Sequence, residues 1–586
     1  MNPEQLADQR HSLAHLLGAA VLKLYPAAKL TLGPSIDDGF YYDVKFETPI
    51  GSDDLPNIES KMRELLPTWK TVSHKQVTKD EALAYYAGNE FKTELINEIS
   101  GRGESITLYT MGASSPELAE GFTDLCRGGH IDDLSAIDSE SFKLDRVAGA
   151  YWRGDEKNPM LTRIYGLAFE SKEALEKYEW QIEEAKKRDH RKIGQEQKLF
   201  TISELVGAGL PLFQPNGMIV RKALEDYLWE LHADKGYSRV WTPHIAKEVL
   251  YETSGHASKF GDELFRVQGK EEKFIMKPMN CPHHMQLFAD NQFSYRDMPI
   301  RYFEPATIYR DEKKGQLMGL TRVRSITQDD GHLFCRTSQL GEEIKTIVAV
   351  IKEFYTTMGM IDSYKVRLSL RDNDESKWLG TDEIWNTAES ALKDICTQEN
   401  LPYFEGVGEA AFYGPKLDFM FKDAIGREWQ LATIQCDFNL PERFDLSFTN
   451  EKGEQERPVV IHRAISGSLE RFMGVMIEHF AGVFPTWLSP VQVAIVPVRE
   501  FHDEAANALK KAFQNTAIRS EIYGSDNSLG KRIHAAKSLK VPYIVVLGDK
   551  EIESGNFTVE LRDGSKIELS KEDLLARLQT EIKDRS

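Results

Sequence analysis

The chain has 586 residues, more than a single hydrophobic core organises, so several domains are expected. Hydrophobic residues make up 41% and charged residues 28%, the composition of a water-soluble globular protein, and no apolar run has the length of a membrane span or the pattern of a secretion signal, so cytoplasmic residence is expected. A formal charge of −19 excludes binding to nucleic acid by bulk charge and leaves room only for locally basic surfaces, while five scattered cysteines exclude a disulfide framework.

Residues 1–170 mix a helix with short strands and Gly-rich turns. Leu13, Leu16, Leu17, Ala20, Val21 and Leu24 recur at helical spacing and predict an amphipathic helix over 11–24. At about 100° per residue, His11 and His15 fall opposite the centre of that stripe, on a solvated face or in a cleft. The same i, i+4 interval returns in Cys126-Arg127-Gly128-Gly129-His130. Together the two pairs offer four donors of the kinds that bind zinc, set against the plainer reading of packed or surface histidines. From 171 to 199 the chain is highly charged, with Leu175, Tyr178, Ile182 and Ala185 at helical spacing. This predicts a solvated connecting helix ending in Lys186, Lys187, Arg188, Arg191 and Lys192.

The stretch 200–485 opens on an amphipathic helix carrying Val220, Leu224, Tyr227, Leu228 and Leu231. Gly236 is expected as its C-cap, followed by a strand over 237–241 and a stop at Pro243. Strand-like runs at 273–276, 307–309, 417–421 and 459–462 are separated by turns and helices, which predicts a large α+β domain and not a βαβ repeat. Three soft donors stand among them: Cys281 in Met279-Asn280-Cys281-Pro282, His332 at the end of Thr327-Gln328-Asp329-Asp330-Gly331-His332, and His462 at the end of Val459-Val460-Ile461-His462. Singly, each reads more readily as a buried thiol or a core histidine. Jointly, three protein ligands leave a coordination position open, as in a working zinc site. Arg310, in Ile308-Tyr309-Arg310-Asp311-Glu312, and Arg471, in Gly467-Ser468-Leu469-Glu470-Arg471-Phe472, supply the planar forks that grip phosphate, and the Glu312 carboxylate suits a nucleobase amine.

After Trp487-Leu488-Ser489-Pro490 the pattern alternates: strand over 491–496, helix over 500–513, strand over 518–523, helix over 529–539, strand over 543–547. That rhythm predicts a small α/β domain. Lys531, Arg532, His534, Lys537 and Lys540 lie on or near one of its helices.

The Arg-x-Glu at 310–312 resembles the second signature of the class II aminoacyl-tRNA synthetases, residues 467–472 the third, and the helix before Pro243 the first. Within that class, Met279–Pro282, Thr327–His332, Ala411-Phe412-Tyr413-Gly414-Pro415-Lys416 and Ile461-His462-Arg463-Ala464 resemble the threonyl-tRNA synthetases, from about His11 to the C-terminus. The resemblance implies a multidomain α+β protein: an α+β editing domain over 1–170, a linker helix over 171–199, a class II antiparallel-sheet catalytic core over 200–485 and an α/β anticodon-binding domain over 486–586. It implies one zinc per subunit, held by Cys281, His332 and His462 and coordinated by the amine and hydroxyl of threonine, with Mg2+ accompanying ATP. Arg310 is then expected on the carboxylate and α-phosphate, Arg471 on the ATP phosphates and adenine, and Glu312 at the adenine amine. Gln328, Asp330, Tyr413 and Gln430 are expected around the amino acid, Lys416 nearby, and His256, in Thr253-Ser254-Gly255-His256, beside the tRNA 2′-hydroxyl. The implied partners are tRNA(Thr), ATP, L-threonine and a second copy of the chain, joined through the helix preceding Pro243.

A site that engages a hydroxyl separates threonine from valine well, whereas serine differs by one methyl, worth only about 1–3 kcal/mol, so a hydrolytic checkpoint is expected. His11, His15, Cys126 and His130, with Val147-Ala148-Gly149-Ala150-Tyr151-Trp152-Arg153-Gly154, resemble the editing domain of bacterial threonyl enzymes; Lys92, in Glu90-Phe91-Lys92-Thr93-Glu94, matches its lysine by position. The family pattern is departed from at Gly129, where proline is usual, at 111–121, which reads as an insertion, and at Glu560, where arginine is common and Arg562 is the nearest substitute. A ubiquitin-like module usual at the N-terminus is not seen. Gly548-Asp549-Lys550-Glu551 matches a turn that approaches the anticodon. A non-catalytic tRNA-binding paralogue is the main rival and is disfavoured by the presence of Arg310, Glu312, Arg471 and all three ligands. A class II enzyme charging serine or proline is disfavoured by the zinc trio.

Overall fold

The structure, a computed structural model, describes residues 1–112 and 121–586, so the inner part of the expected 111–121 insertion lies outside the described residues. The chain forms two compact units, Met1–Glu183 and Glu184–Ser586, the boundary falling within helix Lys172–Arg188. Among the described residues no helix is long and apolar enough to cross a membrane.

In the first unit, Asn2 starts the opening helix by accepting the Gln5 N–H at 2.8 Å, Gln5 reaches back to the Asn2 N–H at 3.0 Å, and Pro3 takes the first helical position. The helix runs Pro3–Leu24, longer than the 11–24 predicted, because its cap lies outside the apolar stripe. It packs against a five-stranded antiparallel sheet ordered Lys29–Leu30, Gly39–Lys45, Met160–Ala168, Phe142–Tyr151, with Ser35–Ile36 beside Gly39–Lys45. Helix Leu55–Leu65 and strand Phe122–Leu125 close its other sides. Ser12 through Val21 are therefore all buried, and the solvated face allowed for His15 does not exist. Strand Phe122–Leu125 ends a three-stranded antiparallel sheet with Ile106–Met111 and Val72–Val77, and it delivers Asp124 and Cys126 beside the helix.

The charged connecting segment is solvated only in part. Helix Lys172–Arg188 is largely exposed, but the following helix His190–Glu196 buries His190, Ile193 and Gly194, and Leu199 is buried beyond it. His190 Nδ1 meets Glu478 Oε1 at 2.6 Å and its Nε2 accepts from the Leu320 N–H at 2.9 Å, so a polar pair anchors this helix in the second unit.

The second unit is built on an eight-stranded sheet ordered Ser238–Arg239, Ile300–Tyr309, Ser325–Cys335, Val459–Ser468, Glu428–Asp437, Lys416–Lys422, Lys365–Leu370, Tyr403–Val407. Its five inner pairings are antiparallel and its two outermost are parallel. Helices Pro215–Ala233, Leu340–Thr357 and Leu469–His479 share one large apolar core with it. Helix Pro215–Ala233 is capped by Asp234, two residues earlier than expected, so Gly236, at φ +75°, turns the chain beyond the cap, and the strand after it shrinks to Ser238–Arg239. Beyond it, a five-stranded sheet ordered Ser520–Ile522, Val493–Pro497, Tyr543–Leu547, Asn556–Leu561, Lys566–Ser570 is parallel in its first three strands and antiparallel in the rest.

Gly467 interrupts the ladder where the register of Ser325–Cys335 against Val459–Ser468 shifts between Gln328 and Asp330. Its φ is +76°, and an added Cβ would lie 2.5 Å from the Leu431 carbonyl oxygen. The left-handed backbone costs a non-glycine residue about 1–2 kcal/mol before the clash with fixed backbone is added. Gly467→Ala is therefore expected to lower the melting temperature of the second unit by several degrees; an unchanged melt contradicts this account of the bulge.

Candidate functional site

The antiparallel register sets His332 directly opposite His462, with ring centroids 4.5 Å apart, although the two are far apart in sequence. Cys281 opens helix Cys281–Ala289, held beneath the same strand by Phe288 stacking on Phe334. Donor atoms of Cys281, His332 and His462 all lie within 4.8 Å of one another, and all three residues are buried. His332 Nε2 and His462 Nδ1 are buried with no hydrogen-bond partner, an uncommon state for interior nitrogens. Burial pushes the His332 imidazolium pKa well below its ordinary value, so the ring is neutral with a lone pair to offer; it also drives the Cys281 thiol well up, with Asp330 and Asp437 adding to the effect. A soft, neutral donor set with two orphaned nitrogens fits a divalent cation of the zinc type.

Each histidine is held from behind. His462 Nε2 meets Asp437 Oδ2 at 2.8 Å, which aims Nδ1 at the cluster. His332 Nδ1 lies 2.8 Å from His284 Nδ1, and His284 Nε2 lies 3.0 Å from Glu304 Oε2. Burial opposes ionisation of Glu304, but the His284 hydrogen bond and the Lys277 charge outweigh it and hold the carboxyl down at about 2. Asp437, His284 and Glu304 were not picked out from the sequence. The i, i+3 spacing of Cys281 and His284 on one helix face was the available signal for one of them.

Two adjoining cavities share Arg310, Gln328, Gln430, Leu431 and Gly467. The inner one, about 320 Å³, contains Cys281, His462, Asp330 and Gln328; the outer one, about 450 Å³, contains Glu312, Arg322 and Arg471. Gln328, Asp330 and His332 alternate along one strand and so face the same side. Among the described residues neither Arg310 nor Arg471 forms an ion pair. Arg310 donates to Met279 Sδ at 2.8 Å and lies over the Phe260 ring, while Arg471 Nε is buried without a partner near Trp429. Burial lowers the pKa of both guanidiniums, a cost that a bound anion offsets. Glu312 is held by Arg322 at 2.8 Å. Lys416 and Gln430 both bond Asp418, the latter at 2.8 Å, and Arg367, Ser369 and Thr433 complete that buried hub, another residue the sequence did not single out. Tyr413 is buried, its hydroxyl donating to Gln435 Oε1 at 2.6 Å and its ring 5.1 Å from His462. His256 bonds Ser254 Oγ at 2.8 Å through Nδ1, its Nε2 is buried without a partner, and burial brings its pKa down to about 3.

The first unit holds a separate cleft of about 410 Å³ lined by His11, His15, Lys92, Asp124 and Cys126. His130 lies behind Cys126, its Nε2 3.2 Å from Cys126 Sγ, and His11 Nε2 lies 3.6 Å from the same sulfur. Donor atoms of His11, His15, Cys126 and His130 also fall within 4.8 Å of one another, but here the thiol is already shared between two imidazoles. Burial brings His15 down to about 3 and His130 to about 2, and lifts the Cys126 thiol to about 11. Lys92 is buried and paired with Asp124, which also accepts from Tyr42 and, at 3.2 Å, from Tyr86. Gly128 and Gly129 have φ of +105° and +83°, values closed to proline, so the loop reaches His130 by a turn that a proline at 129 does not permit.

At the C-terminal sheet the expected basic cluster divides. Arg532 is buried and donates to the Tyr523 and Val498 carbonyls, and Lys537 pairs with Glu560. Lys540 bonds the Ala481 carbonyl at 3.1 Å, which leaves Lys531 and His534 exposed on one face of helix Leu529–Ser538. Arg562, the expected substitute for the family arginine, is committed to the Lys540 and Phe484 carbonyls and Ser489 Oγ. In the turn, Lys550 is 3.3 Å from Glu568 and Glu551 caps the Gly548 N–H at 3.1 Å.

A mainly antiparallel sheet bearing unpaired arginines beside a soft-donor cluster defines a class of protein, and the comparisons agree on it. Residues 265–480 match the tRNA synthetase class II core domain (G, H, P, S and T), residues 492–581 the anticodon binding domain, and residues 106–165 the threonyl and alanyl tRNA synthetase second additional domain. The chain carries a class II aminoacyl-tRNA synthetase core. It is 45% identical to a threonine–tRNA ligase of Rubrobacter xylanophilus over 99% of this chain and 90% of that protein. It is also 45% identical to one of Thermus thermophilus over 96% and 86%. The RNA binding domain of threonyl-tRNA synthetase from Cryptosporidium parvum Iowa II superposes with a TM-score of 0.64 at 33% identity, over 67% of this chain and 98% of that one. The chain belongs to the threonine–tRNA ligase family.

Proposed function

We propose that the chain joins L-threonine to tRNA(Thr) with ATP and clears Ser-tRNA(Thr) in its first unit. Residues 1–170 form the editing domain, 171–199 the connection, 200–485 the catalytic domain and 486–586 the tRNA-reading domain. The observation that carries the reading is the pair of buried, partnerless nitrogens of His332 and His462 beside the Cys281 thiol, adjoining two joined cavities lined by Arg310 and Arg471. Cys281, His332 and His462 hold one zinc, which when bound supplies a Lewis acid that engages the amine and hydroxyl of threonine. Gln328, Asp330, Tyr413 and Gln430 surround the amino acid, with Lys416 and Gln430 held in place through Asp418. Arg310 grips the carboxylate and α-phosphate, Arg471 the remaining phosphates and the adenine, and Glu312 the adenine amine, with Mg2+ accompanying the nucleotide. The neutral His256 ring presents Nε2 to the ribose 2′-hydroxyl and orients its proton.

In the first unit, His11, His15, Lys92, Cys126 and His130 position the ester of a mischarged tRNA, and no metal is invoked there because the Cys126 thiol is already engaged by His11 and His130, with His15 Nδ1 left buried without a partner. Lys531, His534 and Lys550 face the anticodon stem and loop. The chain pairs with a second copy through helix Pro215–Ala233, supported by the exposed Leu205, Leu212, Met218 and Trp241, the last 73% exposed just before Pro243.

Cys281→Ser is expected to lose the single bound zinc and threonine-dependent ATP–pyrophosphate exchange together. A zinc-free protein that still exchanges at the wild-type rate contradicts the assignment, and two zincs per chain reassign the first unit as a metal site. His11→Ala with His15→Ala is expected to leave threonine charging intact and to slow Ser-tRNA(Thr) deacylation by about 100-fold or more, as for loss of paired acid–base groups; unchanged deacylation contradicts the editing assignment.

A further inference from the structure

The chain His332–His284–Glu304 has a polarity, and that polarity decides whether His332 is able to bind a metal. A neutral imidazole has one N–H and one lone pair, so a proton on His332 Nε2 removes the lone pair that faces Cys281 and His462. His332 Nδ1 and His284 Nδ1 are 2.8 Å apart, so one donates to the other. His284 Nε2 has two neighbours, Glu304 Oε2 at 3.0 Å and Asn280 Nδ2 at 2.9 Å. If Glu304 accepts from His284 Nε2–H, then His284 Nδ1 accepts from His332 Nδ1–H, and His332 Nε2 keeps its lone pair. If Asn280 donates to His284 Nε2 instead, every proton shifts along and His332 carries its proton on Nε2.

The surrounding contacts choose the first arrangement. Asn280 Oδ1 accepts from Thr242 Oγ1 at 2.9 Å and from Lys277 Nζ at 3.1 Å, which fixes the amide, and its Nδ2 donates to Glu304 Oε2 at 2.9 Å. A carboxylate only accepts, so a lone pair on His284 Nε2 at 3.0 Å would face its full charge within a fully buried cluster. That is a greater penalty than the contact of Nε2–H with the neutral Asn280 amide at 2.9 Å, which already donates one proton to Glu304. Asp330 Oδ2, 3.7 Å from His332 Nδ1, also favours a proton on that nitrogen. Register places Glu304 opposite Asp330 and Tyr302 opposite His332, so the carboxylate lies on the same sheet face as the ligand it acts upon.

We propose that Glu304 and His284 are positioning residues that fix the tautomer of His332 and thereby make it a metal ligand. The proposal rests on the zinc assignment above. Glu304→Gln tests it with almost no change in shape. Because Oε1 accepts the Thr242 N–H at 2.8 Å, the new amide must turn its NH2 toward His284, the reverse of what the carboxylate offers.

The measurement is 15N NMR of histidine-labelled, zinc-free full-length protein, with His332 assigned from a His332→Gln spectrum, together with zinc competition against a colorimetric chelator. Wild type is expected to carry His332 as the Nδ1–H tautomer. Glu304→Gln is expected to move it to Nε2–H and to weaken zinc about 10–100-fold, with a lower melting temperature because the buried Lys277 loses its counter-charge. A wild-type His332 protonated on Nε2 overturns the proposal, as does a folded Glu304→Gln that retains wild-type zinc affinity. If Glu304→Gln does not fold, the wild-type tautomer decides alone. If wild type binds no zinc that depends on Cys281, the zinc assignment fails, and the tautomer still reports separately on the polarity of the relay.

Discussion

Everything at the catalytic centre depends on one pairing, the antiparallel register that sets His332 against His462. Because strand residues alternate in direction, that register carries Gln328 and Asp330 to the same face as His332, and the neighbouring strand carries Glu304 and Arg310 there too. A slip of one residue would turn all of them to the opposite side, where Asp329 and Arg463 lie buried. The bulge at Gly467 then bends the chain so that its backbone lines both cavities. Geometry that seems to belong to a metal thus belongs first to a ladder of backbone hydrogen bonds.

The two units bury similar side chains for opposite ends. In the first, the thiol and the lysine already have partners, Cys126 lying between His11 and His130 and Lys92 neutralised by Asp124, and His15 Nδ1 is the one nitrogen of that cluster buried without one. In the second, the donors are left waiting. His332 and His462 each turn one nitrogen to a partner behind and leave the other with none, and among the described residues Arg310 and Arg471 form no ion pair. Unmet polar groups in an interior are costly, and they concentrate where a ligand completes them. The division suits the two tests proposed for one amino acid, in which the second unit asks whether a hydroxyl is present and the first removes the product that has the hydroxyl but lacks the methyl.

The sequence made parts of this legible because they are local. Helical spacing marks the opening helix and the signatures around Arg310 and Arg471 carry the family, whereas the strand Ser325–Cys335 that turns Gln328, Asp330 and His332 to one face is not among the runs the sequence marks. What it hid depends on long-range pairing. Asp437, Asp418 and Glu304 are carboxylates in strands, unremarkable until the sheet brings them behind His462, Lys416 and His284. For His15 the helix alone left open a solvated face or a cleft, and the helix and two sheets packed around it decide for the cleft. Arg532 stands in a basic run and Arg562 is the nearest substitute for a family arginine, yet Arg532 donates to main-chain carbonyls and Arg562 to two carbonyls and Ser489 Oγ, a use that charge alone does not reveal.

Zinc K-edge X-ray absorption on the purified protein, with and without threonine, tests the central claim most directly. The account predicts one sulfur and two imidazole nitrogens from the protein, with light-atom scatterers added when threonine is supplied and not when valine is. A shell with three imidazoles, one without sulfur, or one that threonine leaves unaltered would contradict it.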